Sequence, residues 1–212
     1  MSSLLPGLAG SYATFVGGRN RHRLVYDTTG AMRRIAFLVF PRLTLLDFVG
    51  VYDVLRRAPG ALPRVIGTVP EVTDESGVTL RTDGVYEDLK PFDLLVVPGG
   101  FGTRPLLEDD RCIDYLASWG TVRPLASVCT GALLIGKAGH LAGKRATTHH
   151  NSFDLLAPFC REVVKDARVV DEGRVVTAAG VTSAIDLGLH LVAKHWDDET
   201  RTRIAAQIEY RG

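Results

Sequence analysis

The chain of 212 residues has few of the features that would assign it to a specialised class of protein. It has three cysteines, Cys112, Cys129 and Cys160, an odd number at wide spacings with no C-x-x-C pair, which excludes a disulfide-rich scaffold. Its longest apolar run, 35–40, is far shorter than the roughly 18 residues of a membrane-spanning helix. Lys+Arg 25 against Asp+Glu 24 leaves no charge excess to attract nucleic acid or an anionic membrane. We therefore expect a cytoplasmic protein with reduced thiols and with neither nucleic acid nor membrane as a partner.

The first residues of the chain differ in pattern from the rest. Residues 1–31 contain Gly, Ser and Thr without a helical or strand period, and their basic residues follow the apolar ones, unlike a secretory signal. Met32 stands directly before the first strong strand pattern. We therefore predict a flexible N-terminal extension at 1–31, either native or a tag, and one domain at 32–212.

Short apolar runs alternate with helical patterns through this domain. Strands that are apolar on both faces are typical of a parallel sheet between two layers of helices. The sequence therefore predicts a three-layer α/β sandwich with a mainly parallel sheet. Two valine-rich runs, 167–170 and 174–177, predict one antiparallel ribbon. The other predicted strands cover 35–40, 64–69, 93–98 and 124–128, and the predicted helices cover 45–57, 105–119, 183–195 and 198–210.

Cys129 stands where an apolar strand passes into a helix through a tight turn of small residues. This pattern is typical of a nucleophile elbow, which exposes a side chain beside the free N–H groups of the new helix. A thiol in this position is expected to have a lowered pKa. A lone cysteine is more often a buried structural residue, and we assign that role to Cys112 and Cys160.

Asp47 follows the first predicted strand and allows two interpretations. Thr44-Leu-Leu-Asp47 has the spacing of a helix-capping box, so that the carboxyl could cap its own helix. Its apolar neighbours would instead favour a neutral carboxyl that can donate a proton. From the residues alone, capping is the better interpretation.

Several segments in order along the chain resemble the DJ-1/PfpI superfamily, which is class I glutamine amidotransferase-like. They are Asp47, Val-Pro-Gly-Gly at 97–100, Ser-Val-Cys-Thr-Gly at 127–131, Arg-Ala-Thr-Thr-His at 145–149, and Ala-Gly-Val-Thr-Ser-Ala-Ile-Asp at 179–186. The resemblance implies a flavodoxin-like sandwich with the nucleophile at the elbow, and a homodimer. It also shifts the interpretation of Asp47 from capping to catalysis.

Two positions distinguish among members of this superfamily. Thr130 follows Cys129 where proteins similar to the PfpI peptidases have His, and Asp47 stands where glyoxalase-like members have Glu. The chain is therefore most similar to the isonitrile hydratases. The resemblance implies a cofactor-independent hydro-lyase that converts an organic isocyanide and water to an N-substituted formamide, with Cys129 as nucleophile, Asp47 as proton donor and Thr130 as the residue that holds the thiol or water.

The glycine pair allows a structural and a functional interpretation. Gly99 and Gly100 form a turn in the simplest case. By resemblance, the backbone amides of Gly100 and Thr130 would form an oxyanion hole, with Gly99 as an accessory residue. His149 is a further accessory candidate, although a strand-end His is more often structural. No cluster has metal-ligand spacing, so we expect neither a metal nor a cofactor.

Two alternative functions remain open from the sequence. Similar domains occur fused to AraC-type transcription regulators as ligand sensors, but such a fusion needs roughly a hundred further residues after the domain, whereas the sequence ends at Gly212. A glyoxalase- or deglycase-like enzyme acting on 2-oxoaldehydes is the other. Asp186 matches a superfamily position, and we expect it to be structural, as a cap or a support of the elbow.

Overall fold

The computed structural model describes residues 34–211. The predicted extension at 1–31 lies outside the described residues, so the proposed domain boundary stays a prediction. No helix within 34–211 is long and apolar enough to cross a membrane.

A seven-stranded sheet in the order β10-β11-β7-β6-β1-β2-β5 forms the centre of the described chain. All neighbouring pairs are parallel except β10–β11, which confirms the predicted mainly parallel sheet with one antiparallel ribbon. The seven strands are β1 (Arg34–Val39), β2 (Leu62–Gly67), β5 (Gly84–Val85), β6 (Leu94–Val97), β7 (Leu125–Val128), β10 (Val169–Glu172) and β11 (Val175–Ala178). The remaining strands form two small sheets, β3 (Glu71–Thr73) with β4 (Thr79–Arg81), and β8 (Arg145–Ala146) with β9 (Glu162–Val163).

Helices follow strands β1, β6, β7 and β11 and cover the sheet. The central strands β6, β7 and β11 are buried along their whole length, as a sheet between two helical layers requires. The described helices are α1 (Leu45–Leu55), α2 (Thr103–Leu106), α3 (Asp110–Ala117), α4 (Gly131–Lys137), α5 (Phe153–Leu156), α6 (Ser183–His195) and α7 (Asp198–Gln207), with short 3-10 turns at His150–Ser152 and Ala157–Phe159.

The prediction of one helix over 105–119 is wrong. It is divided into α2 and α3, because the Asp109 carboxylate accepts hydrogen bonds from the N–H groups of Arg111 and Cys112 at 3.0 and 3.3 Å and so begins a new helix. Apolar residues continue in helical spacing across this break, which is why the sequence pattern shows one helix. The β3–β4 hairpin was also not predicted from the sequence pattern.

Other predicted bounds are close to the observed ones. Strand β2 begins two residues earlier than predicted, helix α6 matches its prediction, and helix α7 ends three residues early. The parallel register of β1, β6, β7 and β11 brings the carboxyl ends of these strands to one edge of the sheet. The candidate site lies at this edge.

Candidate active site

Cys129 stands in the turn that joins β7 to α4. Its φ of +55° lies in the left-handed region, which residues other than glycine seldom occupy. Helix α4 begins at Gly131, where a Cβ atom would lie only 2.2 Å from the carbonyl oxygen of Val97. Glycine is thus needed for the start of α4 to pack against β6, and the turn has the geometry of the predicted elbow.

Neighbouring segments hold the backbone of the elbow. The Cys129 N–H donates to the carbonyl oxygens of Ala178 and Ala179, at 2.9 and 3.0 Å, and the Thr148 hydroxyl donates to the Cys129 carbonyl oxygen at 2.7 Å. Sequence reasoning missed this role of Thr148, whose one signal was its place in the 145–149 motif. Both backbone polar groups of Cys129 are thus satisfied within the chain, as buried backbone requires.

Asp47 lies in the first turn of α1 and is fully buried. Its Oδ2 accepts a hydrogen bond from the Gly99 N–H at 3.2 Å. The capping alternative is not what the structure shows, because the Thr44 N–H donates to the Gly99 carbonyl oxygen and the Thr44 side chain makes no capping hydrogen bond. The carboxyl of Asp47 therefore serves the adjacent segment and not its own helix.

Gly99 lies between the two candidate catalytic side chains. A Cβ atom at this position would lie 2.8 Å from Asp47 Oδ2, 2.8 Å from Cys129 Cβ and 2.6 Å from the Thr130 nitrogen. The absence of a side chain at Gly99 thus lets the carboxyl and the elbow approach each other. The structure brings together three segments that the sequence placed after three separate strands.

Burial raises the pKa of Asp47 to about 7, against opposing effects of the Cys129 thiol and the Gly99 N–H. Within residues 34–211, no hydrogen bond of good geometry reaches the second carboxyl oxygen, Oδ1. A buried carboxyl with one unsatisfied oxygen favours its neutral form. Asp47 can therefore both hold and release a proton near neutral pH.

The expectation of a lowered thiol pKa at Cys129 is wrong for this structure. Burial, followed by the charge of Asp47, raises the pKa of Cys129 to about 12, and these effects exceed the opposing effect of the Thr130 N–H and hydroxyl. The residue is only 5% exposed, so desolvation outweighs the start of the short helix α4. The resting thiol is protonated, and its proton needs an acceptor before sulfur can act as a nucleophile.

Thr130 joins the elbow to the glycine pair. Its hydroxyl donates to the Gly100 carbonyl oxygen at 3.1 Å and accepts from the Gly100 N–H at 2.9 Å. The Thr103 hydroxyl, which sequence reasoning missed, also donates to the Gly100 carbonyl oxygen, at 2.7 Å. The Gly100 amide is thus already engaged, whereas the Thr130 amide acts on the sulfur of Cys129.

His149 lies beside the elbow but has a different environment from the thiol. Its Nδ1 accepts the Asn151 N–H at 3.3 Å, and its ring lies against Gly180, where a Cβ atom would come within 2.3 Å of the imidazole carbon Cδ2. Burial, with His150 and Arg104, lowers the pKa of His149. The groups that act on the pKa of Cys129 are Asp47 and Thr130, so the structure does not pair His149 with the thiol.

The other candidate residues lie away from this edge. All three cysteines are free thiols, Cys112 buried and Cys160 half-buried. The carboxylate of Asp186 binds Arg168 and the hydroxyl of Tyr210, so it links the C-terminal segment to the start of β10 and neither caps a helix nor supports the elbow. No group of three or more His, Cys, Asp or Glu side chains within 34–211 could hold a metal ion.

Comparison with known proteins identifies the family of this chain. Residues 33–194 match the model of the DJ-1/PfpI family, and the chain belongs to that family. It is 40% identical over 180 residues to the isonitrile hydratase of Pseudomonas putida, an alignment that covers 84% of this chain and 78% of that protein.

Two further relatives are more distant. The HTH-type transcriptional regulator CdhR of Pseudomonas aeruginosa is 28% identical over 184 residues, which are 81% of this chain and 53% of the regulator. The chain thus spans about half of that regulator's length. A crystal structure of a THiJ/PfpI family protein from Pseudomonas syringae superposes with a TM-score of 0.80 at 29% identity, over 90% of this chain and 84% of that one.

Proposed function

We propose that this protein is an isonitrile hydratase, which adds water to an organic isocyanide and releases an N-substituted formamide. The observation that carries the proposal is the pair formed by the elbow thiol of Cys129 and the buried carboxyl of Asp47, whose pKa of about 7 suits it to move protons. The 40% identity to the Pseudomonas putida hydratase supports the same reaction.

The first step joins the thiol to the substrate. The terminal carbon of an isocyanide is electrophilic towards soft nucleophiles such as sulfur. Because the Cys129 thiol is protonated at rest, the Asp47 carboxylate accepts its proton as the C–S bond forms. Asp47 then returns this proton to the same carbon, and the product is a thioimidate. The Thr130 N–H stabilises the charge on sulfur during the transfer.

The second step releases the formamide. Asp47, ionised again, accepts a proton from water as the oxygen adds to the thioimidate carbon, and it passes this proton to the nitrogen. The C–S bond then breaks as the carbonyl forms, the remaining hydroxyl proton returns to sulfur through Asp47, and the N-substituted formamide leaves. No oxidant, reductant or cofactor enters this balance. The predicted oxyanion role of Gly100 requires its amide to leave the Thr130 hydroxyl.

The test uses cyclohexyl isocyanide with mass spectrometric detection of N-cyclohexylformamide. We expect turnover by the unmodified protein and none by Cys129→Ser, which keeps the volume of the side chain but has a poorer nucleophile. Methylglyoxal consumption, measured in parallel, separates a glyoxalase-like enzyme from a hydratase. Lack of isocyanide turnover, or equal turnover by the Ser variant, contradicts the proposal.

We also propose a cytoplasmic homodimer as the working form. The three free thiols agree with a reducing compartment, and the family resemblance is the basis for the dimer. Light scattering coupled to size exclusion measures the mass in solution. A mass equal to the chain's 23.0 kDa contradicts the dimer.

A further inference from the structure

A cavity of about 370 Å³ lies beside the elbow and is not part of the mechanism described above. It shares Thr148 and Ala179 with the elbow, and these residues hydrogen-bond to the two backbone polar groups of Cys129. The cavity therefore lies at the same sheet edge as the thiol. Its volume falls within the range of small-molecule sites, roughly 300–1,000 Å³.

His149 lines this cavity and has a hydrogen-bond donor. Its Nδ1 accepts the Asn151 N–H, so the neutral ring carries its proton on Nε2. The ring packs against Gly180, which also lines the cavity, and a side chain at Gly180 would displace it. The position and the tautomer of His149 are thus both fixed by the surrounding backbone.

The charges around the cavity differ from one end to the other. At the rim, Lys165 and Asp166 have opposite signs and are exposed, and Arg168 is paired with Asp186. At the His149 end, the Arg104 guanidinium donates to the Ser152 hydroxyl at 3.0 Å, which places its charge beside the turn that follows His149. Burial, with smaller contributions from His150 and Arg104, lowers the pKa of His149. A cationic side chain therefore lies near this end of the cavity.

We propose that this cavity binds the N-substituent of the isocyanide, and that His149 selects substituents that end in a carboxylate. The inference rests on the proposed function and names its substrate class as isocyanides of carboxylic acids. The Nε2–H of His149 donates to the carboxylate, while the guanidinium of Arg104 favours its charge. His149 is on this account a specificity residue that does not touch the reacting carbon.

The test compares two substrates that differ only in charge, isocyanoacetate and its methyl ester. We expect kcat/KM of the unmodified protein to be at least about fivefold higher for the acid, as a hydrogen bond to a charged group supplies. A ratio of acid to ester at or below one overturns the proposal, whatever the variants do.

Two substitutions separate the donor role of His149 from its structural role. His149→Asn keeps an acceptor near the Nδ1 position for the Asn151 N–H but removes the Nε2–H. His149→Gln keeps an N–H donor near the Nε2 position but removes the acceptor for the Asn151 N–H. We expect the acid-to-ester ratio to fall to near one in the Asn variant and to be retained in the Gln variant. Lys90→Gln, a charge change in a distant turn, leaves the ratio unchanged. Equal loss in both His149 variants, with lowered melting temperatures, shows a structural role and overturns the proposal.

Failure of the proposed function is recognised separately. If neither isocyanide is turned over, the hydratase assignment fails, and binding of N-formylglycine and of its methyl ester to the unmodified protein is measured by calorimetry. At least about fivefold tighter binding of the acid, lost in His149→Asn, supports the carboxylate site in the cavity. Equal binding of the two compounds overturns it.

Discussion

Two buried cysteines of this chain both have a raised thiol pKa, but different side chains hydrogen-bond to the two thiols. Cys112 on α3 and Cys129 on the elbow are 0% and 5% exposed, and burial raises the pKa of each to about 12. Neither burial nor pKa therefore distinguishes the proposed nucleophile from a core residue.

The difference lies in what each thiol faces. Cys112 interacts with the hydroxyl of Tyr86, whose own pKa is raised by burial, and the nearby Asp109 carboxylate accepts the backbone N–H of Cys112 and not its thiol. Cys129 faces the Asp47 carboxyl, with a pKa of about 7, on a turn with positive φ. In the proposed mechanism, a thiol with a raised pKa becomes a nucleophile through its proton acceptor.

Alanine substitution of each cysteine tests this comparison most directly. We expect Cys129→Ala to lower formamide formation by at least about 10³-fold, the effect of removing a covalent nucleophile. Cys112→Ala leaves kcat/KM unchanged and destabilises the fold by about 1–3 kcal/mol, because a buried side chain is lost. Initial rates and urea unfolding measure the two effects. Loss of activity in Cys112→Ala at full folding would contradict the distinction.

Removal of the proton acceptor is expected to make Cys129 as inert as Cys112. We expect Asp47→Asn to lower kcat by about 10²–10⁴-fold, the range of general acid–base catalysis. In the unmodified protein kcat/KM rises as Asp47 ionises with a pKa of about 7, and then reaches a plateau. The variant lacks this rise. Profiles of kcat/KM from pH 5 to pH 9 for the unmodified protein and for the variant test this difference. A flat profile in the unmodified protein argues against Asp47 as the base.

The same substitution is expected to stabilise the fold. The folded pKa of Asp47, about 7, is above its ordinary value of 3.8, so the folded state binds the proton more tightly, and stability falls as the pH rises from about 4 to above 7. The free energy of unfolding decreases by at most about 4 kcal/mol over this range. Asp47→Asn avoids this decrease, because it has no ionisable carboxyl, and it retains an acceptor for the Gly99 N–H. Denaturant unfolding at pH 4.5 and pH 8 should show a stabilisation that grows with pH; equal stability of the two proteins at pH 8 would count against a costly buried charge.

Thr130 gives the smallest expected effect. Thr130→Val removes the hydroxyl that bonds both polar groups of Gly100, and we expect kcat to fall about tenfold, the effect of an unsatisfied hydrogen bond of 1–3 kcal/mol near the site. Thr130→Ser keeps the hydroxyl and should retain most of the activity. Steady-state rates at saturating substrate distinguish the pair. A loss in Thr130→Ser with full activity in Thr130→Val would contradict the role of the hydroxyl and assign the effect to packing of the methyl group.

Much of the fold could be predicted from the apolar runs. The parallel strands and the ribbon follow from patterns that only a buried sheet produces, and α6 has a clear helical period. The break between α2 and α3 was not predicted, because Asp109 acts through a capping bond that an apolar period does not show. The β3–β4 hairpin, three residues in each strand, is too short to give a pattern.

The candidate site was partly predictable. Cys129, Asp47 and the glycine pair could be placed at one sheet edge, since parallel strands end together. The capping interpretation of Asp47 could not be decided, because the Thr44 and Asp47 partners lie on the distant Gly99 segment. The direction of the Cys129 pKa was wrong for the same reason: a helix start is visible in the sequence, but desolvation is not.

The sequence by itself determined the α/β class, the turn at Cys129 and the residue types available for chemistry, because these depend on local pattern and side-chain chemistry. The tertiary structure alone decided that Asp47 faces the thiol across Gly99, that burial brings its pKa to about 7, and that His149 lines a cavity beside the elbow. These depend on contacts between segments distant in the chain and on the exclusion of water. Both arise only when the segments pack together.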